Sequence, residues 1–299
     1  MIEVKDLVKT FDGFPALSGA NITVPDGAVY GLVGPNGAGK STIIRHLTGI
    51  YRPDSGQVLL EGEPVYENPA KKALIAAIPD DWYYFQSATI RDMMRFYKGF
   101  YPAFDTARYE KFKDVFAIPE KSVIRRLSKG MQKQAAFWLA LCCRPQILVL
   151  DEPVDGLDPV MRRQVWKLLM GDVAQRGTTV LVSSHNLREL EDVCDHVGIM
   201  HKGTVLLERS LSDLQENIVK LQAVWKPGEA AILPKEFEVL HTSHVGRVYT
   251  YIVRGKAADI TARLERYEPL MLEALPLSLE EIFIYELGGE QYAVKEIIL

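Results

Sequence analysis

Nine consecutive residues, Gly34, Pro35, Asn36, Gly37, Ala38, Gly39, Lys40, Ser41 and Thr42, carry the pattern G-x-x-x-x-G-K-[ST]. Its chemistry is phosphate binding. Glycines let successive backbone N–H groups turn inward around anionic oxygens, at the positive end of the helix that follows. Lys40 then reaches the β- and γ-phosphates of a nucleotide, and the Ser41 hydroxyl is placed to ligate Mg²⁺. The plain alternative is a glycine turn without a ligand. The context argues against it, because a strand precedes the loop and a helix follows.

Phosphate chemistry also needs carboxylates to hold the metal and to orient water. Residues 147–152 read Ile-Leu-Val-Leu-Asp-Glu, a buried strand that delivers two acids at its carboxyl end, where ligands of such sheets bind. Asp151 is the natural Mg²⁺ partner, directly or through water. Glu152 is left to act as general base on the attacking water.

These residues need a frame. Residues 28–33 are a short apolar run ending at a glycine, a buried strand, and Ile43, Ile44, Leu47 and Ile50 recur at helical spacing from Lys40 to about residue 50. A turn at residues 53–56 precedes a strand from residue 57. Residues 146–150 and 178–183 are further buried strands. Asp158 followed by Pro159 opens a helix. Residues 186–194 place Leu187, Leu190 and Val193 on one helical face. Strands alternating with helices predict an α/β domain with a parallel sheet.

Residues 82–116 differ, holding twelve of the chain's 28 aromatics, among them Trp82, Tyr83, Phe85, Phe96 and Phe100. With a helix opened by Ser128 and stopped before Pro145, this reads as a helical subdomain over about residues 82–145. The aromatics serve its core, or a groove for a partner's helix. After residue 209 the pattern changes to a small α+β domain, residues 210–299. It has a strand over 248–253, a helical face of Ile260, Leu264 and Tyr267, and a strand candidate over 271–275. Ser278-Leu279-Glu280-Glu281 is a capping box for a last helix carrying Ile282, Phe283 and Leu287.

The 299 residues have a net charge of −4, 47% hydrophobic content and 25% charged content. That composition suits an ordinary globular protein and gives no electrostatic footprint for nucleic acid. No apolar leader or membrane span is evident, and three cysteines without ligand spacing fit a reduced cytosol.

Further motifs in fixed order complete a resemblance over residues 2–209. The sequence resembles the ATP-binding subunits of ATP-binding cassette (ABC) transporters. Leu127-Ser128-Lys129-Gly130-Met131 is similar to that family's signature loop, and Asp155-Gly156-Leu157-Asp158 to the segment that crosses its dimer interface. Ser184-His185 is similar to its switch histidine, and Phe11 stands where an aromatic stacks on adenine. The resemblance implies a P-loop NTPase fold, a RecA-like core with an antiparallel β edge and helical subdomain. It implies ATP and Mg²⁺ as cofactors and head-to-tail pairing with a second cassette, as homodimer or heterodimer. Ser128 and Gly130 would act at the partner's nucleotide and Asp158 of the interface segment would also bind nucleotide, while Lys40, Glu152 and His185 carry hydrolysis. The partner it implies is an integral membrane permease, with the chain peripheral on the inner face of the cell membrane and no nucleic acid involved. A soluble ATPase acting on ribosomes or DNA and a non-catalytic regulator are the competing readings.

Two positions depart from the family pattern. Lys129 and Met131 replace glycine and glutamine, so Lys129 either adds positive charge at the site or is simply solvated. Asp80 stands nine residues before Thr89, where the family places a glutamine touching Mg²⁺ and the permease. Gln86 is nearby but fits that spacing poorly. With Lys-Gly-Met in the signature, these departures resemble a bacterial subgroup of exporter-like cassettes, the YtrB-like group.

Overall fold

In chain order, β1 (Ile2–Phe11) and β2 (Phe14–Val24) form a hairpin, and β3 (Val29–Val33) leads through the glycine loop into α1 (Lys40–Leu47). Then come β4 (Ser55–Leu60), β5 (Glu63–Pro64), α2 (Pro69–Lys72), β6 (Ile75–Ile78), α3 (Ile90–Phe100), α4 (Thr106–Phe116) and α5 (Lys129–Cys142). The run continues with β7 (Ile147–Asp151), α6 (Pro159–Arg176), β8 (Thr179–Ser184), β9 (His196–His201) and β10 (Thr204–Ser210). This computed structural model describes residues 1–81, 84–226 and 233–287; Trp82, Tyr83 and the side chains of Phe283 and Leu287 lie outside the described residues.

The six-stranded sheet has the order β10-β9-β3-β8-β7-β6. β3 runs parallel to β8 and β9, and β7 parallel to β6 and β8. β3, β7 and β8 are buried at every residue, as strands covered on both faces must be, which is why their middles read as apolar runs. Register brings their carboxyl ends level: Val33 lies opposite Ser184, and Ser183 opposite Asp151. Residues more than a hundred positions apart thereby converge on one edge of the sheet.

A second, antiparallel sheet has the order β2-β1-β4-β5. Asp12 and Gly13, both at positive φ, make the two-residue hairpin turn that Asp-Gly favours. Phe11 and Phe14 are paired across it at the hairpin tip. Apolar residues of β1, β2 and α1 join those of the central sheet in one core that includes Leu7, Leu17, Leu32, Ile43, Val149 and Leu181. α1 ends at Leu47 rather than near residue 50, because Gly49 takes φ +66° and turns the chain away.

The aromatic segment divides its residues between core and surface. Trp138 of α5 is fully buried, stacked on Tyr109 at 4.9 Å and on Phe116 at 6.1 Å, and its indole N–H donates to the Tyr109 carbonyl at 3.1 Å. Phe85, Phe96 and Phe100 remain exposed, with Phe96 touching the other two. The ends of α4, α5 and α6 meet around Asp172. Its carboxylate pairs with Arg108 at 2.8 Å, and Arg176 lies 3.6 Å away.

The chain divides into two units, Met1–Asn186 with Val193–Glu208, and Leu187–Asp192 with Arg209–Leu299. The second contains α7 (Leu211–Glu216), β11 (Ile218–Val224), β12 (Val239–Val245), β13 (Val248–Arg254), α8 (Ala257–Leu264), β14 (Met271–Leu275) and α9 (Leu279–Leu287). Its strands form an antiparallel sheet ordered β12-β13-β11-β14 around Trp225, whose N–H donates to the buried Tyr251 hydroxyl at 2.8 Å. The expected capping box is formed: Ser278 N–H donates to Glu281 Oε2, and Glu281 N–H to Ser278 Oγ.

The helix expected over residues 186–194 does not form. Only Leu187–Glu189 make a 3-10 turn. Instead of bonding i to i−4, this stretch bonds to α9: Arg188 grips Glu280 with two N–H groups at 3.0 and 2.8 Å, and Glu191 accepts from the Leu279 N–H at 3.0 Å. Tertiary partners outbid local periodicity here.

Candidate nucleotide site

The loop after β3 wraps tightly because its glycines allow close approach. A Cβ on Gly34 would sit 2.3 Å from the Met200 carbonyl oxygen, and one on Gly39, at φ +108°, would lie 2.9 Å from that of Ala16. Gly37 is also at positive φ. The loop delivers Lys40 as the first residue of α1, so the helix dipole and its unpaired N–H groups face the loop. Lys40 is almost fully buried; its ammonium donates to the Gly34 carbonyl at 2.6 Å and lies 3.4 Å from Glu152 Oε1.

Around this loop lies a cavity of about 430 Å³, lined by Pro35 to Thr42 together with Phe11, Asp80 and Glu152. The N-terminal hairpin brings Phe11 to its rim, edge-on to Tyr51 with ring centroids 5.2 Å apart. Tyr51, Phe14 and Arg45 also line it. Sequence reasoning missed these three, and only Tyr51, just past α1, offered a local signal.

The two acids at the carboxyl end of β7 have different surroundings. Asp151 is buried and accepts from the Ser183 hydroxyl at 2.6 Å, a bond the register of β7 and β8 dictates. Glu152 turns at φ +45°, a conformation costing a non-glycine residue of order 1–3 kcal/mol. Its N–H is held by Ser183 Oγ at 3.1 Å. Its carboxylate points one oxygen at Lys40 and the other at His185 Nδ1, 2.9 Å away. Glu152, Asp155 and His185 bring possible ligand atoms within 4.8 Å of one another. The structure thus gathers Glu152, Lys40 and His185 at the ends of β7, α1 and β8.

Residues 17–155 match the ABC transporter family. The ABC transporter ATP-binding protein YtrB of Bacillus subtilis is 30% identical over 97% of this chain and 99% of its own length. The chain belongs to the ABC transporter ATP-binding proteins. Nod factor export ATP-binding protein I of a Rhizobium species is 32% identical, over 97% of both chains. A solved structure of an ATP-binding subunit of an ABC transporter is 28% identical, with a TM-score of 0.67 over 72% of this chain and 92% of its own. The cassette is therefore a P-loop NTPase that binds ATP and is an ATPase.

The other motif residues of the cassette lie apart from its phosphate cavity. Ser128 caps α5, accepting from the Met131 N–H at 3.3 Å. Gly130 backs onto the loop after β7, where a Cβ would meet the Gly156 carbonyl oxygen at 2.7 Å. Asp158 Oδ1 accepts from the Val160 and Met161 N–H groups and so caps α6. None of these three lines the cavity around Lys40. Lys129 borders a neighbouring cleft with Asp81 and Asp155, which shares Asp80 with the phosphate cavity. Burial raises the Asp80 carboxyl above the usual range, against the pull of Lys133. Gln86 lies in an exposed turn.

Proposed function

We propose that this cassette powers a separate transmembrane permease, an exporter, by ATP-driven pairing with a second cassette. The observation that carries the pairing is the separation just described: Lys40 and Glu152 share a cavity from which Ser128, Gly130 and Asp158 of the same chain are absent. A second copy or a paralogue would supply them, closing its signature helix over the nucleotide at Lys40. The Rhizobium relative named for export supports the direction of transport. Among the described residues no helix is long and apolar enough to cross a membrane, so the membrane path would belong to the partner, with this chain peripheral on the inner face. Phe85, Phe96 and Phe100 offer that partner an exposed aromatic patch.

In this reading Phe11 stacks on adenine, backbone N–H groups of residues 34–42 cradle the phosphates, and Lys40 absorbs charge that develops as the β–γ bond breaks. Glu152 takes a proton from the water aligned opposite the leaving oxygen, and His185, bonded to Glu152, contacts the γ-phosphate. Ser41, Asp151 and Asp80 are hard oxygen donors, the set Mg²⁺ takes, and the ion when bound neutralises β- and γ-phosphate charge.

Glu152→Gln tests both halves. It is isosteric but cannot accept the proton, so turnover falls roughly 10²–10⁴-fold. ATP binding persists and the chain elutes as a dimer with ATP on size exclusion. Wild-type turnover rejects the base; a monomer at saturating ATP rejects pairing with a second copy of this chain. Purification from native membranes is expected to bring an integral membrane protein with it.

A further inference from the structure

α5 carries a buried cation that the phosphate chemistry leaves unused. Lys133 lies five residues after the cap Ser128, and it is 5% exposed. Lysine is almost never buried unless paired. Here the ammonium donates to two main-chain oxygens, those of Glu152 at 2.5 Å and Asp155 at 3.1 Å, and has Asp80 Oδ1 3.8 Å away. Burial pushes its pKa down, while the carboxylates of Asp80, Asp155, Glu152 and Asp151 act in the opposite direction.

The two carbonyls it holds belong to the loop that must aim the base. Glu152 sits in the left-handed region with its N–H fixed by Ser183. Its carbonyl is fixed by Lys133, so the residue is held through the peptide on each side and the carboxylate stays on Lys40 and His185. A charge-assisted bond suits that task because it is shorter and stronger than a neutral one.

We propose that Lys133 is a positioning residue for Glu152, a strut from the signature helix that holds the main chain of residues 152–155 so the base keeps its aim. The assignment rests on the reading of Glu152 as general base. It also makes the angle of α5 part of the catalytic geometry, since the helix carrying Ser128 and Gly130 carries the strut as well.

The test is steady-state and single-turnover ATPase kinetics on the full chain. Lys133→Met is expected to lower kcat about ten- to a hundredfold, the scale of a misplaced catalytic group. KM for ATP and Kd for a fluorescent ATP analogue stay within about threefold. Lys133→Arg, which keeps charge and donors, recovers to within about fivefold of wild type. Should Lys133→Met not fold, Lys133→Gln, which keeps a polar head without the charge, is read by the same criteria. In a Glu152→Gln background Lys133→Met lowers the residual rate by less than about twofold, because the two residues act as one unit. Wild-type kcat in Lys133→Met, with turnover lost in Glu152→Gln, overturns the strut and leaves the base standing. Turnover retained by Glu152→Gln overturns both. An undiminished further loss in that background overturns the strut in favour of simple helix anchoring.

Discussion

Replacing Asp172 by asparagine probes how the helical subdomain is tied to the sheet. Asp172 is on α6, its side chain 9% exposed, and its carboxylate lies 2.8 Å from Arg108 of α4 and 3.6 Å from Arg176. Arg108 also donates to the Leu141 carbonyl near the end of α5, and Arg176 to the Pro145 carbonyl just before β7. One carboxylate therefore balances two guanidinium groups that fasten three elements. Burial already lowers the Arg176 pKa, with Asp172 the main counterweight. Asparagine leaves both cations in place without their anion. Breaking a buried pair costs about 3–5 kcal/mol, and with both arginines 17–18% exposed solvent screening puts the cost at the low end. For a domain of about 150–250 residues, 3 kcal/mol corresponds to a drop of about 6–12 °C in midpoint. Calorimetry on the full chain reads this directly. KM for ATP, measured well below the transition, stays at its wild-type value because no group of the network lines the phosphate cavity. Adding Arg108→Met to Asp172→Asn should cost less than the two singles summed, since the cation left unpaired is gone. A midpoint within 2 °C of wild type, or strictly additive costs, refutes the reasoning; about 2 °C is well below the expected shift.

Gly130→Ala should destabilise the chain by about 1–3 kcal/mol in urea melts without nucleotide, because its methyl meets the Gly156 carbonyl. Gly99→Ala in α3, where a Cβ meets nothing within 4 Å, instead stabilises by about 0.4–1 kcal/mol. His46 is buried on α1, donating from Nδ1 to the Thr42 carbonyl at 2.8 Å, and burial lowers its pKa. Below about pH 6.5 the unfolded chain takes up the proton first. Its contribution to stability is therefore complete above that pH and is lost as pH falls towards the folded pKa. Urea midpoints between pH 7.5 and 5.5 should fall less in His46→Gln than in wild type; an equal fall assigns the pH dependence to other groups.

Local features of this protein were legible from its sequence, and those made by packing were not. The glycine loop, the acid pair at the end of β7 and the capping box at Ser278 each depend on neighbours within a few residues, and each is present where the pattern placed it. Phe11 could be placed through the resemblance, yet its contact with Tyr51 required the hairpin to fold over α1. Lys133 looked like any helix lysine, because its partners lie 19 and 22 positions further along the chain. Residues 186–194 misled for the opposite reason: their leucine spacing is helical, but polar groups of α9 capture Arg188 and Glu191. The aromatic segment showed that something there was unusual without showing which rings would be covered.

The excursion of Leu187–Asp192 has a consequence for how such chains are cut and recombined. The second unit is discontinuous: it takes six residues from immediately after Ser184-His185-Asn186 and only then resumes at Arg209. A chimera that exchanged only residues 209–299 with a relative would leave Arg188 and Glu191 facing a foreign helix in place of Glu280 and Leu279. The transplantable module is the hexapeptide and the tail together.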